Sequence, residues 1–200
     1  YYKNEIGGTY MKIICIGDSL TFGYGINRNY CWVTLLKNIL EYEVINKGIN
    51  GDTTTGILTR SHEDIIKNKS THTIILIGTN DFLLGRSLEN VEQNLNLIIK
   101  ECVENNITPI IGIPMEIEIA MAQKIWTSDL DYLSVNNKLT EYRKYILNIS
   151  KENNFKYIDF FSAIKEHKSK CKASELFVDG IHPTPLGHKI MFNKAYEIFK

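Results

Sequence analysis

Apolar residues in this chain come as short unbroken runs, separated by longer stretches in which they recur every third or fourth position. The runs are 12–16 (KIICI), 43–46 (EVIN), 73–77 (TIILI), 108–113 (TPIIGI) and 156–159 (KYID), most of them rich in β-branched residues. A strand with one wet face alternates apolar and polar, so continuous runs of this kind predict strands buried on both faces, as in a parallel sheet. The stretches between them read at helical period. Residues 30–42 carry Trp32, Leu35, Leu36, Ile39 and Leu40, and residues 88–106 carry Val91, Leu95, Ile98, Ile99 and Cys102. Further helices are expected over 54–68, 130–153 and 184–199. Strand alternating with helix implies an α/β fold, a doubly wound sandwich whose crossovers are right-handed.

This architecture gives the polar residues a place. In open α/β sheets ligands bind beyond the carboxyl ends of the strands, where the strand order reverses. Ser19 follows the first run, Asn50-Gly51-Asp52 the second, Gly78-Thr79-Asn80-Asp81 the third, and His182 precedes the last helix. With strands in the order 2-1-3-4-5, the first and third are neighbours and Ser19 faces Asn80 across the crevice. The least patterned stretch, 114–129, contains Met115, Ile117, Ile119, Met121 and Trp126. It reads either as a partly helical lid beside the site or as an ordinary connection.

Composition narrows the class. A chain of 200 residues fits one domain, read here as 11–200, with Met11-Lys12 directly before the first strand and residues 1–10 as an added or poorly ordered prefix. Lys plus Arg and Asp plus Glu are 23 each, so no broad field exists to attract nucleic acid or acidic lipid. No apolar run approaches the roughly 18 residues needed to span a bilayer, and the first ten residues lack the basic and apolar regions of a signal peptide. Stable membrane insertion is therefore not expected, and nothing in the pattern specifies an oligomeric state. Cys15, Cys31, Cys102 and Cys171 lie far apart without a CxxC, which reads as reduced thiols and a cytoplasmic setting.

The chemistry on offer is that of a serine nucleophile. A hydroxyl attacks poorly at neutral pH until a base takes its proton, and His182 is the candidate base, with Asp179 three residues earlier to hold its Nδ1–H. The oxyanion formed on an attacked ester carbonyl needs donors, for which the Ser19 and Gly51 backbone N–H groups and the Asn80 amide are candidates. Each also has a plain structural reading: Ser19 as a helix cap, Gly51-Asp52 as a turn, Asn80-Asp81 as a cap, His182 as a satisfied histidine. The functional reading gains weight because four separate segments meet at one sheet edge. The five histidines show neither HExxH nor a Cys/His zinc spacing, so no metal site is expected. Neither GxGxxG, GxxxxGK[ST] nor GxSxG occurs, which argues against nucleotide binding and against a nucleophile elbow.

Taken together, Ile16-Gly17-Asp18-Ser19-Leu20, Asn50-Gly51-Asp52-Thr53, Gly78-Thr79-Asn80-Asp81 and Asp179–Pro183 resemble the four blocks of the SGNH hydrolases, also called GDSL lipases or esterases, in order and spacing. The resemblance runs from about residue 12 to 200. It implies a flavodoxin-like three-layer α/β/α sandwich with a five-stranded parallel sheet, Ser19, Asp179 and His182 as catalytic triad, Gly51 and Asn80 beside Ser19 as oxyanion donors, and no cofactor. The run from Asn50 to Thr54 is similar to that of bacterial acyl-thioesterase/lysophospholipase and arylesterase members. The expected activity is hydrolysis of a small-molecule ester or thioester through an acyl-serine intermediate. Phe82, Leu83, Met115 and Trp126 are expected to contact the substrate, favouring a small or medium acyl chain. A carbohydrate O-acetyl esterase is the nearest alternative. From another class, a flavodoxin-like module could hold an anion on the Ser19 and Gly51 N–H groups without turnover.

Overall fold

Alternation along each strand decides which helices lie on which side of the sheet. The computed structural model describes residues 11–200; the expected prefix, 1–10, lies outside the described residues. The strands are β1 (Lys12–Gly17), β2 (Glu43–Gly48), β3 (His72–Leu76), β4 (Thr108–Ile113) and β5 (Lys156–Asp159). All pair in parallel, in the order β2-β1-β3-β4-β5. The fold class and strand order expected from the sequence are those observed.

Successive side chains of a strand point to opposite faces. Ile14, Ile16, Ile75, Ile111 and Ile113 therefore pack on one side, against α3 (Thr54–Ser61), α5 (Leu88–Glu104) and α7 (Tyr132–Asn153). Ile13, Cys15, Ile74, Leu76 and Ile110 pack on the other, against α2 (Trp32–Ile39), α8 (Phe160–Lys168) and α10 (Pro185–Tyr196). The apolar face read from sequence for α5, Val91, Leu95, Ile98, Ile99 and Cys102, is its buried face.

Five helices were not among those the pattern displays, and two others are bounded or wound differently. The helices α1 (Ser19–Phe22), α4 (Thr79–Leu83), α6 (Ile119–Ile125) and α9 (Ala173–Leu176) have seven residues or fewer, too few to display a helical period. The fifth, α8, starts directly on β5: Asp159 ends the strand and caps the helix by accepting from the Ser162 N–H at 3.0 Å, so no loop residues announce it. The final helix starts at Pro185 behind a Thr184 cap. Where a helix was expected over 54–68, α3 widens at His62–Ile66 into a π-turn.

Candidate active site

Ser19 is presented by an abrupt change of backbone direction at the end of β1. Asp18 caps α1, its Oδ1 accepting from the Leu20 N–H at 2.9 Å, and Gly23 in the left-handed conformation ends the helix after four residues. The other half of the pair comes from a tight turn before α10. Val178 N–H donates to the His182 carbonyl at 2.8 Å, while Asp179 Oδ1 accepts from the Ile181 and His182 N–H groups at 2.9 and 2.8 Å. The second oxygen, Oδ2, lies 2.7 Å from His182 Nδ1, and His182 Nε2 lies 2.9 Å from Ser19 Oγ. All three side chains are buried.

That geometry fixes the roles available to the ring. With Nδ1–H donating to a carboxylate, Nε2 presents its lone pair to the hydroxyl. Burial would raise the Asp179 carboxyl, but hydrogen bonds from the His182 ring, the His182 N–H and the Ile181 N–H outweigh it and hold the group below its usual range. The acceptor of Nδ1–H is thus an ionised carboxylate at neutral pH.

Gly51 and Asn80 meet Ser19 around one cavity of about 320 Å³. Gly51 has φ +76 with open space where a side chain would be, so its backbone conformation, not crowding, calls for glycine. Asn80 Nδ2 donates to the Asp52 carbonyl at 2.8 Å and lies 3.4 Å from Asp18 Oδ2. Asp52 is itself held by Arg60, whose Nε and Nη2 reach Asp52 Oδ2 at 2.8 and 2.6 Å. The same guanidinium donates to the carbonyls of Gly17 and Lys47 at 3.1 and 2.9 Å and to Asp64 at 2.7 Å. One arginine therefore ties the end of β1 to the turn bearing Gly51. Asp81 accepts from the Thr54 N–H and hydroxyl at 2.9 and 2.7 Å, anchoring α4 to α3.

Two buried titratable groups stand beneath this arrangement. Burial, with the negative charges of Asp52 and Asp81, pushes Asp18 up to about 7 despite the Leu20 N–H. His188 on α10 accepts from the Trp32 N–H at 3.4 Å through Nδ1 while its Nε2 has no partner. Burial and the neighbouring His182 push His188 down to about 4, so it stays neutral.

Comparison with known proteins fits this geometry. The sequence profile of the GDSL-like lipase/acylhydrolase family matches residues 15–190. The chain belongs to that family. Over 92% of its length it is 25% identical to an acetylxylan esterase of Geobacillus stearothermophilus, covering 91% of that protein. It is 33% identical to esterase TesA of Pseudomonas aeruginosa over 42% of its own length, a match that spans only 44% of that relative. A solved member of the lipolytic G-D-S-L family from Veillonella parvula superposes with a TM-score of 0.80 at 28% identity, covering 94% of this chain and 98% of that one.

In this GDSL-family chain the cavity at Ser19 is walled by Tyr24, Leu83, Trp126, Leu130, Tyr132 and Ile181. Of the four residues expected to contact substrate, Leu83 and Trp126 line it and two do not. Phe82 points from α4 into the core, its ring 5.6 Å edge-on from Tyr142, and Met115 packs on the opposite side of the sheet with Leu76 and Phe160. Both corrections have one cause: a side chain next to a strand end that points back toward the sheet is core. The stretch 114–129 divides accordingly, with Met115 and Ile117 buried, α6 following, and Trp126 and Thr127 on the cavity wall. Sequence reasoning also passed over Tyr24, which the positive-φ glycines Gly23 and Gly25 bracket, and Arg60, whose signal was its i,i+4 spacing to Asp64. Among the described residues no cluster of His, Cys, Asp and Glu could hold a metal ion, and no helix is long and apolar enough to cross a membrane.

Proposed function

We propose that this protein is a serine-dependent carboxylic-ester hydrolase in which Ser19 is the nucleophile, His182 the base, and Asp179 the carboxylate that orients it. The carrying observation is the 2.9 Å contact of Ser19 Oγ with His182 Nε2, backed by the 2.7 Å contact of Nδ1 with Asp179. On attack, the Oγ–C bond forms as the proton moves to Nε2, and the negative charge on the carbonyl oxygen is met by the Ser19 and Gly51 N–H groups and the Asn80 amide. Collapse breaks the C–O bond to the alcohol, which takes the proton from Nε2. Water, deprotonated at the same nitrogen, then releases the acid and restores Ser19.

The cavity is at the small end of ligand pockets, about 300–1,000 Å³, and its wall is aliphatic and aromatic, which suits a small or medium acyl chain. Thioesters present the same carbonyl and belong to the same reading. The four cysteines are free, in keeping with a cytoplasmic setting. One observation favours a second reading: the near full-length match to an acetylxylan esterase supports removal of acetyl groups from a carbohydrate.

Hydrolysis of p-nitrophenyl esters of rising chain length beside acetylated xylooligosaccharides separates the two. The expected result is turnover of acetyl to about hexanoyl esters, single fluorophosphonate labelling at Ser19, and loss of both in Ser19→Ala. Equal labelling or turnover by that variant would overturn the assignment, and ligand binding without any turnover would favour the anion-binding module.

A further inference from the structure

The Asn80 amide has fewer hydrogens than the groups around it call for. An amide nitrogen carries two N–H bonds. Nδ2 donates one to the Asp52 carbonyl at 2.8 Å, and the other faces Asp18 Oδ2 at 3.4 Å. The first bond is short and ties the amide to the turn after β2; the second is long for a hydrogen bond to a carboxyl oxygen. An oxyanion forming at Ser19 needs an N–H from the same nitrogen, and the one it can take is the one that faces Asp18. Substrate and Asp18 therefore compete for a single hydrogen.

The surroundings of Asp18 decide how hard it competes. Its carboxyl group is buried. Arg60 on α3, which reaches the adjacent Gly17 carbonyl, gives its charge to Asp52 and Asp64 instead. His182, from the turn before α10, is engaged with Asp179 and Ser19. The charges that act on Asp18 are negative: Asp52 on the turn after β2 and Asp81 on α4. From α1 it receives the Leu20 N–H at 2.9 Å on Oδ1, which keeps Oδ1 an acceptor and leaves Oδ2 as the atom that takes a proton. Burial, helped by Asp52 and Asp81, outweighs the Leu20 N–H and its own N–H and raises the group to about 7, so both of its forms are populated at neutral pH.

Those two forms treat Asn80 differently. Ionised, Oδ2 is a charged acceptor that draws the N–H to itself, and its negative charge stands one amide group away from the oxygen on which the oxyanion develops. Both effects oppose the transition state. Protonated, Oδ2 is a hydroxyl oxygen and a much weaker acceptor, and the N–H can turn to the substrate.

We propose that Asp18 is a positioning residue for the oxyanion site: with a proton on Oδ2 it releases the Asn80 N–H to the substrate oxygen, and without that proton it withholds it. The proposal rests on the ester-hydrolase reading above and adds to that reading a control on the alkaline side. His182 must be unprotonated to accept the serine proton and Asp18 must be protonated, so activity is confined between two titrations. Asp18 neither gives nor takes a proton during turnover; the serine proton still passes through His182 Nε2 to the departing alcohol.

The test is the pH profile of kcat/KM for p-nitrophenyl butyrate, from about pH 5 to about pH 9.5. In the wild type it should fall on the alkaline side, about tenfold per pH unit towards a level about 10²-fold lower, the cost of one oxyanion donor. Asp18→Asn keeps an oxygen for the Leu20 N–H and cannot ionise, so its alkaline fall should vanish and it should exceed the wild type at about pH 9 by about tenfold or more. In Asn80→Ala, where no amide is left to withhold, the alkaline fall should shrink to about threefold or less. Difference infrared spectroscopy reads the wild type without any variant: the band of a protonated carboxyl should disappear along the same pH curve as the activity. An alkaline fall of full depth in Asp18→Asn or in Asn80→Ala, a wild-type profile flat on the alkaline side, or a carboxyl band lost at a different pH from the activity overturns the positioning role. Ser19→Ala separates the two levels of failure. If that variant is inactive at every pH while one of those results is found, only the role of Asp18 falls; if it hydrolyses the ester like the wild type, the ester-hydrolase reading falls with it.

Discussion

The floor and the wall of the cavity at Ser19 are built on opposite terms. On the floor, the segments carrying Ser19, Gly51 and Asn80 are each held by hydrogen bonds from another part of the fold: Arg60 grips Gly17 and Asp52, the Asp52 carbonyl grips Asn80, and Thr54 grips Asp81. The wall is made of Tyr24, Leu83, Trp126 and Leu130, whose contribution is apolar contact. Donors that stabilise an oxyanion must stand within tenths of an ångström of their places, which takes a locked network. Acyl and alcohol groups are chosen by area and shape, which solvent-facing side chains on connecting segments can supply and exchange. Substitutions on the floor should therefore cost turnover on every substrate, and substitutions on the wall should redistribute turnover among substrates.

The largest effect is expected at Asn80. Asn80→Ala removes one of the proposed oxyanion donors and should lower kcat by about 10²–10³ on all esters alike, with KM and the urea midpoint little changed. A loss confined to one acyl length would move Asn80 from floor to wall. Arg60 comes next, because it touches no substrate and acts only through the segments it holds. Arg60→Ala leaves Asp52 without its ion-pair partner and Asp64 with Lys47 alone, and should cost about 3 kcal/mol in stability and about tenfold in kcat with KM nearly constant. Arg60→Lys keeps the charge but not the fork, so kcat should recover only in part. A smaller effect belongs to the wall: Leu83→Phe fills part of the cavity and should shift the preferred acyl chain one or two carbons shorter, changing kcat/KM about tenfold for the longest ester and little for acetate.

The same division explains what the sequence disclosed. The strand runs, their parallel order and the long amphipathic helices were legible because burial on both faces leaves continuous apolar stretches and α5 displays a full helical period. Ser19, Asn50–Asp52, Asn80, Asp179 and His182 were legible as polar residues at strand ends. The wall was not. Tyr132 and Ile181 are apolar residues in apolar surroundings, and nothing in a run such as Asn80-Asp81-Phe82-Leu83 tells which of Phe82 and Leu83 faces the core. That choice is made by the orientation of α4, a five-residue helix set by Asp81 bonding to a threonine 27 positions earlier. Arg60 was missed for the same reason, since its partners at Gly17, Lys47 and Asp52 become neighbours only once β1 and β2 pair.

The buried pair beneath the floor offers the finest test, with no effect on turnover needed to read it. His188 titrates at about 4 in the fold against about 6.5 when unfolded, so between those values the unfolded chain binds more protons and stability rises with pH. Asp18 titrates at about 7 in the fold against about 3.8 unfolded, so the native state binds more protons and stability falls as pH rises through that window. At about 1.4 kcal/mol for each pH unit between folded and unfolded titration, these amount to about 3 and 4 kcal/mol of opposite sign, so over pH 4–6.5 they nearly cancel. Removing either partner should expose the other. Urea midpoints at pH 4, 5.5 and 7 should vary little through these two groups in the wild type, rise with pH in Asp18→Asn, where His188 acts alone, and fall with pH in His188→Asn, where Asp18 does. Equal slopes in the two variants would mean that neither group is held away from its ordinary titration, and the floor would then be wetter than its burial implies.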